Sequence, residues 1–390
     1  MKPGYVTDDY RTWRETSVHG IALATKPGVF AHGSADIASL LLARHVHSPG
    51  TVVHLNAGNA LLAVALKGQA RTTIIADRNV LAIEAAARTL ALNGATAELH
   101  IGHGALALPR DTAADVVAIR IPHEKVALLQ LLHDAFAILK PGGECIIAGA
   151  NNEGAKSAAR LLEQLFGHAE TIATESGYRA IRAIRQDACA GVAADASPYL
   201  GPDAFLEQKF TLRGEELTFF SRPGVFSWDH LDEATSILVD TLEVNAHDRV
   251  LDLGCGYGVL GTVAGRIARD HPVTMLDVDS EAVRSATRSA HASGLANARV
   301  LGSDIASAVL EEQFDLVVTN PPFHVGKSTD LGVPIQFIAD AFHVLAPGGR
   351  LSLVANRTLP YEGAIKYLFG NIAKVHDGRR FKVLTAVKGA

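Results

Sequence analysis

The segment Asn320-Pro321-Pro322-Phe323 directly follows the apolar, β-branched run 314–319, which is typical of a buried central strand. Two prolines fix φ and remove two backbone donors, so the strand must end there in a stiff turn. The Asn320 side-chain oxygen and the Pro321 carbonyl can accept the two hydrogens of a planar amine, and Phe323 can stack on the ring that carries it. We therefore interpret Asn320, Pro321 and Phe323 as candidate catalytic residues.

A glycine-rich turn is the second element that could bind a ligand. Residues 249–253 form an apolar run, and Gly254, Gly256 and Gly258 follow before a helical segment. Glycines at such a turn let a ligand approach the backbone, and the amino end of a helix offers free amide hydrogens. Asp252 precedes the glycines, and a carboxylate suits an ammonium-bearing ligand better than a pyrophosphate. Asp252, Gly254 and Gly256 are therefore predicted to bind a ligand.

Two further acidic residues follow the next two predicted strands. The strand at 273–276 ends in Asp277, about twenty residues after the glycines, where an acid can accept both hydroxyls of a ribose. Asp279 competes for this role but is more typical of a helix cap. After the short strand at 300–301, Asp304 is placed either to accept an adenine amino group or to form an Asx-turn. The spacing therefore favours a nucleoside-containing ligand.

The two halves of the chain repeat each other. Residues 26–30 recur as 222–226, an offset of 222 − 26 = 196, and Asp36 recurs as Asp232 at that offset. Strands separated by helices in each half predict a parallel sheet. Chance is a poor explanation for several segments in register, so we predict a duplicated α/β domain. The other matches are 76–77, 93–94 and 115–117 with 276–277, 293–294 and 315–317, and 139–143 with 345–349.

The copies differ where chemistry is expected. Residues 120–123 (RIPH) align with 320–323 (NPPF), and residues 54–58 (HLNAG) align with 252–256 (DLGCG). The first copy keeps what a fold needs and loses what a site needs, so we predict two tandem Rossmann-like domains of which the N-terminal one is degenerate. The predicted bounds are 1–186 for the degenerate domain, 187–208 for a linker rich in Ala, Gly, Pro and Asp, and 209–390 for the catalytic domain. A hairpin at 210–220, turning at 213–214, is expected to open the last of these.

In this order, the motifs resemble those of class I S-adenosylmethionine-dependent methyltransferases, and the Asn-Pro-Pro-Phe turn resembles the subset that methylates exocyclic amines or amides. More narrowly, the chain is similar to the bacterial ribosomal RNA guanine-N2 methyltransferases RsmC and RlmG, in detail over the second half and as architecture over the first. Details at 355–361 and 369–371 favour the large-subunit type without deciding the subunit. The matching stretches are 223–227, 231–232, 320–324, 354–357, Leu359, Tyr361, 369–371 and 380–383.

The resemblance implies transfer of a methyl group from S-adenosylmethionine to the N2 amine of a guanine in 16S or 23S ribosomal RNA, with Phe323 stacked on a base removed from its helix. Ser227 and Asp232 would border the methionine end of the cofactor, although Asp232 alone could simply cap the next helix. His324 could be catalytic, but loop packing or a phosphate contact suits it better. The implied cofactor-binding set is Asp252, Gly254, Gly256, Asp277, Asp304, Ser227, Asp232 and Asn320.

Composition limits the partners. A net charge of −5 and a pI of about 6.4 give no global signature of a nucleic-acid binder, so RNA contacts must be local. Three widely spaced cysteines and seventeen histidines without ligand spacing predict no disulfide framework and no metal site. With no apolar run that could span a bilayer, we expect a cytoplasmic protein. We also expect it to be a monomer. The candidate RNA contacts are the N-terminal domain and the basic residues Lys366, Lys374, Arg379, Arg380, Lys382 and Lys388 near the hairpin tip 377–378.

Other functions remain open at this point. Asn-Pro-Pro motifs also serve methyltransferases that act on adenine N6 or on protein glutamine, and Phe rather than Tyr at position 323 argues only mildly against them. A non-enzymatic RNA-binding ribosome assembly factor is a third reading. A nicotinamide-dependent dehydrogenase is weaker, because Leu260 stands where the turn would need its third glycine.

Overall fold

The computed structural model describes residues 10–32, 34, 36–186, 197–322 and 331–389. The chain divides into two units, one spanning Thr12–Ala204 and the other combining Met1–Arg11 with Phe205–Ala390. Most of the predicted linker, 187–196, lies outside the described residues. Its last three residues belong to a strand, because the first strand of the second unit begins at Leu206. We call Thr12–Ala204 the first unit and the other the second unit.

The first unit holds a hairpin and a seven-stranded mixed sheet. Its strands are β1 Arg14–Val18, β2 Ile21–Thr25, β3 Thr51–Leu55, β4 Thr72–Asp77, β5 Glu98–Ile101, β6 Ala114–Arg120, β7 Leu139–Ala150, β8 Glu170–Glu175 and β9 Tyr178–Ile184. Its helices are α1 Ile37–His45, α2 Leu61–Ala65, α3 Val80–Leu92, α4 Lys125–Ile138 and α5 Ala155–Phe166. In the strand order β5-β4-β3-β6-β7-β9-β8 the first five strands are parallel, β9 is antiparallel to β7, and β8 is antiparallel to β9.

The second unit repeats this plan. Its strands are β10 Leu206–Leu212, β11 Glu215–Ser221, β12 Val250–Leu253, β13 Thr274–Asp277, β14 Arg299–Gly302, β15 Phe314–Thr319, β16 Leu345–Asn356, β17 Ala373–Asp377 and β18 Phe381–Val387. Its helices are α6 Glu233–Thr241, α7 Val259–Ile267, α8 Ser280–Ala292, α9 Gly332–Val344 and α10 Tyr361–Phe369. The strand order β14-β13-β12-β15-β16-β18-β17 is that of the first unit, so the predicted α/β duplication is confirmed as architecture.

Both faces of each sheet are covered by helices. In the second unit α9 and α10 pack on one face, and α6, α7 and α8 pack on the other. Alternation along β12 sends Leu251 and Leu253 to the first face and Val250 to the second. In the first unit α4 and α5 share one face, and α1, α2 and α3 share the other. Among the described residues, no helix combines the length and apolar character needed to cross a membrane.

Strand register confirms which residues correspond. Asp252 lies opposite Met275, whereas His54 lies opposite Ile75, so the two occupy equivalent positions on β12 and β3. The predicted hairpin is also present as β10 and β11. Its two-residue turn, Arg213 and Gly214, has φ of +52° and +83°, as a tight hairpin turn requires.

Candidate functional site

The predicted site residues meet at one edge of the second sheet. Since β14, β13, β12 and β15 are neighbouring parallel strands, their carboxyl ends lie side by side. Asp304, Asp277, Gly254 and Asn320 follow these four strands in that spatial order. In open α/β sheets this edge is where ligands bind. The structure thus brings together residues that are up to 320 − 254 = 66 positions apart in sequence.

The glycine turn has a backbone that L-residues rarely adopt. Gly254, Gly256 and Gly258 have φ of +77°, +54° and +91°. A Cβ on Gly254 would lie 2.9 Å from the Phe337 ring, and one on Gly258 would lie 3.1 Å from Ala286 Cα. A Cβ on Gly256 would meet nothing within 4 Å. The turn is therefore closely packed at its two ends and open at Gly256, where a ligand could approach the backbone.

Asp277 is attached to this turn. Its Oδ2 accepts a hydrogen bond from Gly256 N at 2.8 Å, and its Oδ1 accepts one from Asp279 N at 3.0 Å. The side chain is partly exposed. Asp279 caps α8 by accepting from Glu281 N at 2.9 Å, as the sequence predicts. Asp277 is thus the acid that faces the open part of the turn.

Asp252 requires a correction. Its side chain is fully buried beneath the turn, where Oδ2 accepts a hydrogen bond from Gly261 N at 2.7 Å. Its Oδ1 has no hydrogen-bond partner among the described residues. Burial raises the pKa of this carboxyl to about 7. Because the carboxyl group does not reach the surface, it supports the first turn of α7 and does not make the predicted direct contact with an ammonium group.

Asn320 is held in one orientation. Its Nδ2 donates to Asp232 Oδ2 and to Thr235 Oγ1, both at 3.1 Å. Asp232 also caps α6, because it accepts from Thr235 N at 2.8 Å. The helix cap, one of the two alternatives for Asp232, is therefore present, and the same carboxylate also accepts from Asn320. Its place at the methionine end of the cofactor stays a prediction. No described residue donates to Asn320 Oδ1, which leaves that oxygen available as an acceptor.

The proline turn and Ser227 complete the set of predicted site residues. Pro321 is buried and Pro322 is exposed. Phe323 and His324 lie outside the described residues, so the stacking role of Phe323 and the loop role of His324 stay predictions. Ser227 has φ of +49°, and its carbonyl accepts from His230 N at 3.1 Å. The place of Ser227 beside the methionine end of the cofactor stays a prediction.

Asp304 has a partner that sequence reasoning missed. Its Oδ1 accepts a hydrogen bond from the Tyr10 hydroxyl at 2.9 Å, across 294 positions of sequence. Next to it, Ala306 N donates to Asp340 Oδ2 at 3.1 Å, and Arg11 Nη2 donates to the same oxygen at 2.6 Å. The motifs carried no signal for this, because residues 10–11 belong to no recognisable pattern.

The first unit keeps the backbone of the turn with only one of its three glycines. Asn56, Gly58 and Ala60 have φ of +55°, +64° and +63°, matching the three glycines of the second unit. Asp77 accepts from Gly58 N at 3.0 Å and from Asn79 N at 2.9 Å, as Asp277 does from its own turn. The loss of glycine at two positions has therefore not changed the conformation.

Its side chains differ at the other two site positions. His54, in the place of Asp252, is fully buried, and burial lowers its pKa to about 3. Arg120, in the place of Asn320, is 6% exposed. It donates to Ile121 O at 2.6 Å and to Glu153 at 3.0 Å. A guanidinium offers only donors, so this position lacks the acceptor that Asn320 provides.

The basic residues near the carboxyl end do not form one free patch. Lys382 is buried and donates to Glu362 at 2.7 Å, and Lys388 donates to the carbonyls of His343 and Leu345. Lys374 and Arg380 pair with Asp377 and Glu233. Lys366 and Arg379 are the members of the predicted set that make neither a side-chain hydrogen bond nor an ion pair with any described residue. No group of three or more His, Cys, Asp or Glu residues in the described part of the chain could hold a metal ion.

Comparison with known proteins gives the family of the chain. Residues 20–182 and 216–385 both match the family described as Methyltransferase small domain. The chain therefore belongs to the methyltransferase small domain family, with a match in each half.

Individual proteins that resemble this chain have more specific names than the family. The Ribosomal RNA small subunit methyltransferase C of Hahella chejuensis is 33% identical over 283 residues, covering 73% of this chain and 80% of that protein. The protein of the same name from Mannheimia succiniciproducens is 34% identical over 260 residues, covering 67% and 73%. The solved structure of the T. Thermophilus 16S rRNA N2 G1207 methyltransferase (RsmC) in complex with AdoMet and guanosine has a TM-score of 0.82 and 29% identity, and the match covers 97% of this chain and 99% of that one.

Proposed function

We propose that this chain transfers a methyl group from S-adenosylmethionine to the exocyclic N2 amine of a guanine in 16S ribosomal RNA. The observation that carries the proposal is the orientation of Asn320, whose nitrogen donates to Asp232 and Thr235 and whose oxygen accepts from no described residue. The relatives are named for the small subunit, and one was solved with AdoMet and guanosine. Small-subunit RNA therefore replaces the large-subunit preference drawn from residues 355–361 and 369–371.

The residues present fit the cofactor. The open backbone at Gly256 suits the close approach of a ligand, and the partly exposed Asp277 carboxylate beside it suits ribose hydroxyls. Asp304, on the neighbouring strand end, suits an adenine amino group. When bound, S-adenosylmethionine supplies an electrophilic methyl group on a sulfonium. Gly254, Gly256, Asp277, Asp304 and the Ser227 segment would hold it, while Asp252 supports the turn from below.

The chain's own contribution to the reaction is orientation. Guanine N2 is a poor nucleophile because its lone pair is delocalised into the ring. Asn320 Oδ1 and the Pro321 carbonyl would accept its two hydrogens, which pyramidalises the nitrogen and directs the lone pair away from the ring. Alignment and fixed dipoles then supply most of the rate. No strong base is required first, since the proton becomes acidic once the nitrogen is methylated.

We also propose that the first unit is a degenerate copy that does not transfer methyl groups. Arg120 removes the acceptor that Asn320 provides, and His54 stands in the place of Asp252. The Asn56 side chain donates to the Arg120 carbonyl at 2.8 Å, which ties the turn to the end of β6. The role of the first unit would then be to support the second unit or to bind RNA. The predicted domain bounds, monomeric state and cytoplasmic location stay predictions.

The test uses tritiated S-adenosylmethionine with 16S and 23S RNA, each naked and as a subunit, from cells that lack the corresponding methylations. We expect label in 16S RNA, released on digestion as N2-methylguanosine. Label in methyladenosine would move the acceptor to adenine N6. Label in 23S RNA would reverse the subunit assignment. No label in any RNA, despite cofactor binding, would favour protein glutamine as the acceptor or a non-enzymatic role in ribosome assembly.

A further inference from the structure

Three arginines lie at the edge of the sheet that carries Asn320. Asn356, at the end of β16, pairs with Phe381, at the start of β18, so the loops next to them lie beside the carboxyl end of β15. Arg380 forms an ion pair with Glu233, which directly follows Asp232, the residue that holds Asn320. We call Arg357, Arg379 and Arg380 the basic rim.

The basic rim is exposed and carries excess positive charge. The side chains of Arg357 and Arg380 are 54% and 70% exposed, and Arg379 makes no ion pair with any described residue. Arg357 lies 3.5 Å from Asp377 and donates to Gly378 O at 3.3 Å, so its guanidinium is already oriented. With Lys374, four cations face two acids, Asp377 and Glu233. Such a surface attracts anions.

The first unit shows that the fold does not require these arginines. Asn151 N donates to Gly177 O at 2.8 Å, just as Arg357 N donates to Arg380 O at 2.8 Å. The first unit therefore has the same junction, but with Asn151 and the short turn at 176–177 where the second unit has the basic rim. The copy with Asn320 has three arginines in these loops. The copy with Arg120 has none in them, and Arg179, the arginine beside its junction, donates to Asn151 at 2.7 Å.

We propose that the basic rim binds backbone phosphates of the RNA on either side of the target guanine. The inference rests on the proposed function, because it assigns RNA as the ligand of this edge. Arginine suits the role, since its planar fork of donors matches phosphate oxygens. Phosphate contacts position a nucleic acid and make binding dependent on salt, without reading its sequence.

The test compares Arg379→Glu with Arg269→Glu in the full chain. Arg269 is exposed, has no ion pair among the described residues and follows α7, at the opposite edge of the sheet. We measure binding of small subunits, and of naked 16S RNA, by filter retention in the presence of S-adenosylhomocysteine at several salt concentrations. Arg379→Glu should weaken binding roughly tenfold and lower the slope of log K against log salt by about 0.7–0.9. Arg269→Glu should change neither.

If the two substitutions had equal effects, or no effect, the proposal that the basic rim binds RNA phosphates would be wrong. The readout is binding, so it stays informative even if methyl transfer to RNA fails. If Arg379→Glu weakens RNA binding as expected but the unaltered protein forms no N2-methylguanosine, the proposed reaction alone is refuted. Normal methylation with an unchanged salt slope would refute the rim alone. S-adenosylhomocysteine affinity should be the same in all variants, because the rim does not contact the glycine turn.

A second inference comes from a different contact, at the start of the chain. Tyr10 is 3% exposed and packs in the core cluster that contains Leu276 and Ile305. Burial, followed by the charge of Asp304, raises the pKa of its hydroxyl, so the hydroxyl keeps its proton and donates to Asp304. Arg11 reaches the same loop through Asp340, which accepts from Ala306 N. Both residues therefore brace the segment that carries Asp304.

The segment that carries Asp304 needs support, because the next residue, Ile305, has φ of +52°. A β-branched residue rarely adopts this conformation, and such strain persists only where surrounding contacts hold it. At the equivalent place in the first unit Gly104 has φ of +61°, which is unstrained for glycine. The following residue, Ala105, donates to Asp134 at 2.9 Å as Ala306 does to Asp340. Only the second unit combines the strained residue with an acid at the cofactor position.

The geometry points to Tyr10 as a positioning residue that orients Asp304 toward the adenine amino group. This rests on the proposed function through the cofactor role of Asp304. It also implies that the catalytic domain does not begin at residue 209, as the sequence predicts, but includes Tyr10 and Arg11. A fragment that starts after the first unit would lack this brace.

The test is Tyr10→Phe, which removes only the hydroxyl, with Tyr361→Phe as the control. Tyr361 lies in the same core cluster, and its hydroxyl has no hydrogen-bond partner among the described residues. Calorimetry measures affinity for S-adenosylhomocysteine and for its inosine analogue, which lacks the amino group. Tyr10→Phe should weaken S-adenosylhomocysteine about tenfold and the analogue far less. Equal weakening of both ligands would mean a merely structural role, and no weakening of either would refute the inference outright. Neither result depends on methyl transfer.

Discussion

Replacing Asn320 by alanine is expected to lower the rate of methyl transfer roughly 10²–10³-fold, the usual effect of removing one fixed polar group that acts on the reacting atoms. Affinity for S-adenosylmethionine should stay near that of the unaltered protein, because the turn, Asp277 and Asp304 are untouched. The measurement is single-turnover transfer to small subunits at saturating cofactor, with calorimetry of S-adenosylhomocysteine alongside. Unchanged turnover with normal cofactor binding would remove Asn320 from the mechanism.

Thr235→Val separates orientation from the presence of the amide. It removes one of the two acceptors for Asn320 Nδ2 and leaves Asp232 in place. We expect an intermediate loss of rate, about fivefold, since one neutral hydrogen bond contributes about 1 kcal/mol. A loss as large as that of Asn320→Ala would mean that Thr235 itself contacts the substrate. No loss would mean that Asp232 alone holds the amide.

Asp277→Ala should produce the second large effect, a loss of cofactor affinity of roughly 10²-fold or more. Two hydrogen bonds from ribose hydroxyls to a carboxylate would disappear, each contributing about 1.5–3 kcal/mol. The contacts with Gly256 N and Asp279 N would be lost as well, which loosens the turn. Equilibrium dialysis with labelled S-adenosylmethionine measures the change directly.

The duplication provides a matched control in Asp77→Ala. Asp77 makes the same two backbone contacts, with Gly58 N and Asn79 N, in the first unit. Both substitutions should therefore lower the free energy of unfolding of their own units by about 1–3 kcal/mol. Only Asp277→Ala should lower cofactor affinity. Equal affinity losses from both variants would show that the effect comes from stability and not from contact with the ribose.

Local pattern was enough to predict the strands and the edge of the sheet where the site lies. The run 314–319 is β-branched and ends at two prolines, and it forms β15 with the predicted bounds Phe314–Thr319. Arg213 and Gly214 adopt the predicted turn because glycine there accepts positive φ at no cost. The predicted neighbours Asp277, Asp304 and Asn320 also meet at one edge, since parallel strands align their carboxyl ends.

Side-chain direction and long-range contacts could not be read from the sequence. Asp252 and Asp277 are both acids beside the turn, but alternation along β12 sends Asp252 to the face covered by α7, where it is buried. Lys382 looks like a surface cation in sequence, yet the register of β18 buries it against Glu362. Tyr10 contacts Asp304 through tertiary packing alone, and no periodicity records that. Loss of glycine was also a poor guide to conformation, since Asn56 and Ala60 keep the turn.

The number of S-adenosylmethionine molecules bound per chain tests the central claim, that one of two similar units carries the working site. Equilibrium dialysis of the full chain with labelled cofactor should give one molecule per chain, abolished by Asp277→Ala and unaffected by Asp77→Ala. Two molecules per chain, or one that is lost with Asp77→Ala and kept with Asp277→Ala, would contradict it.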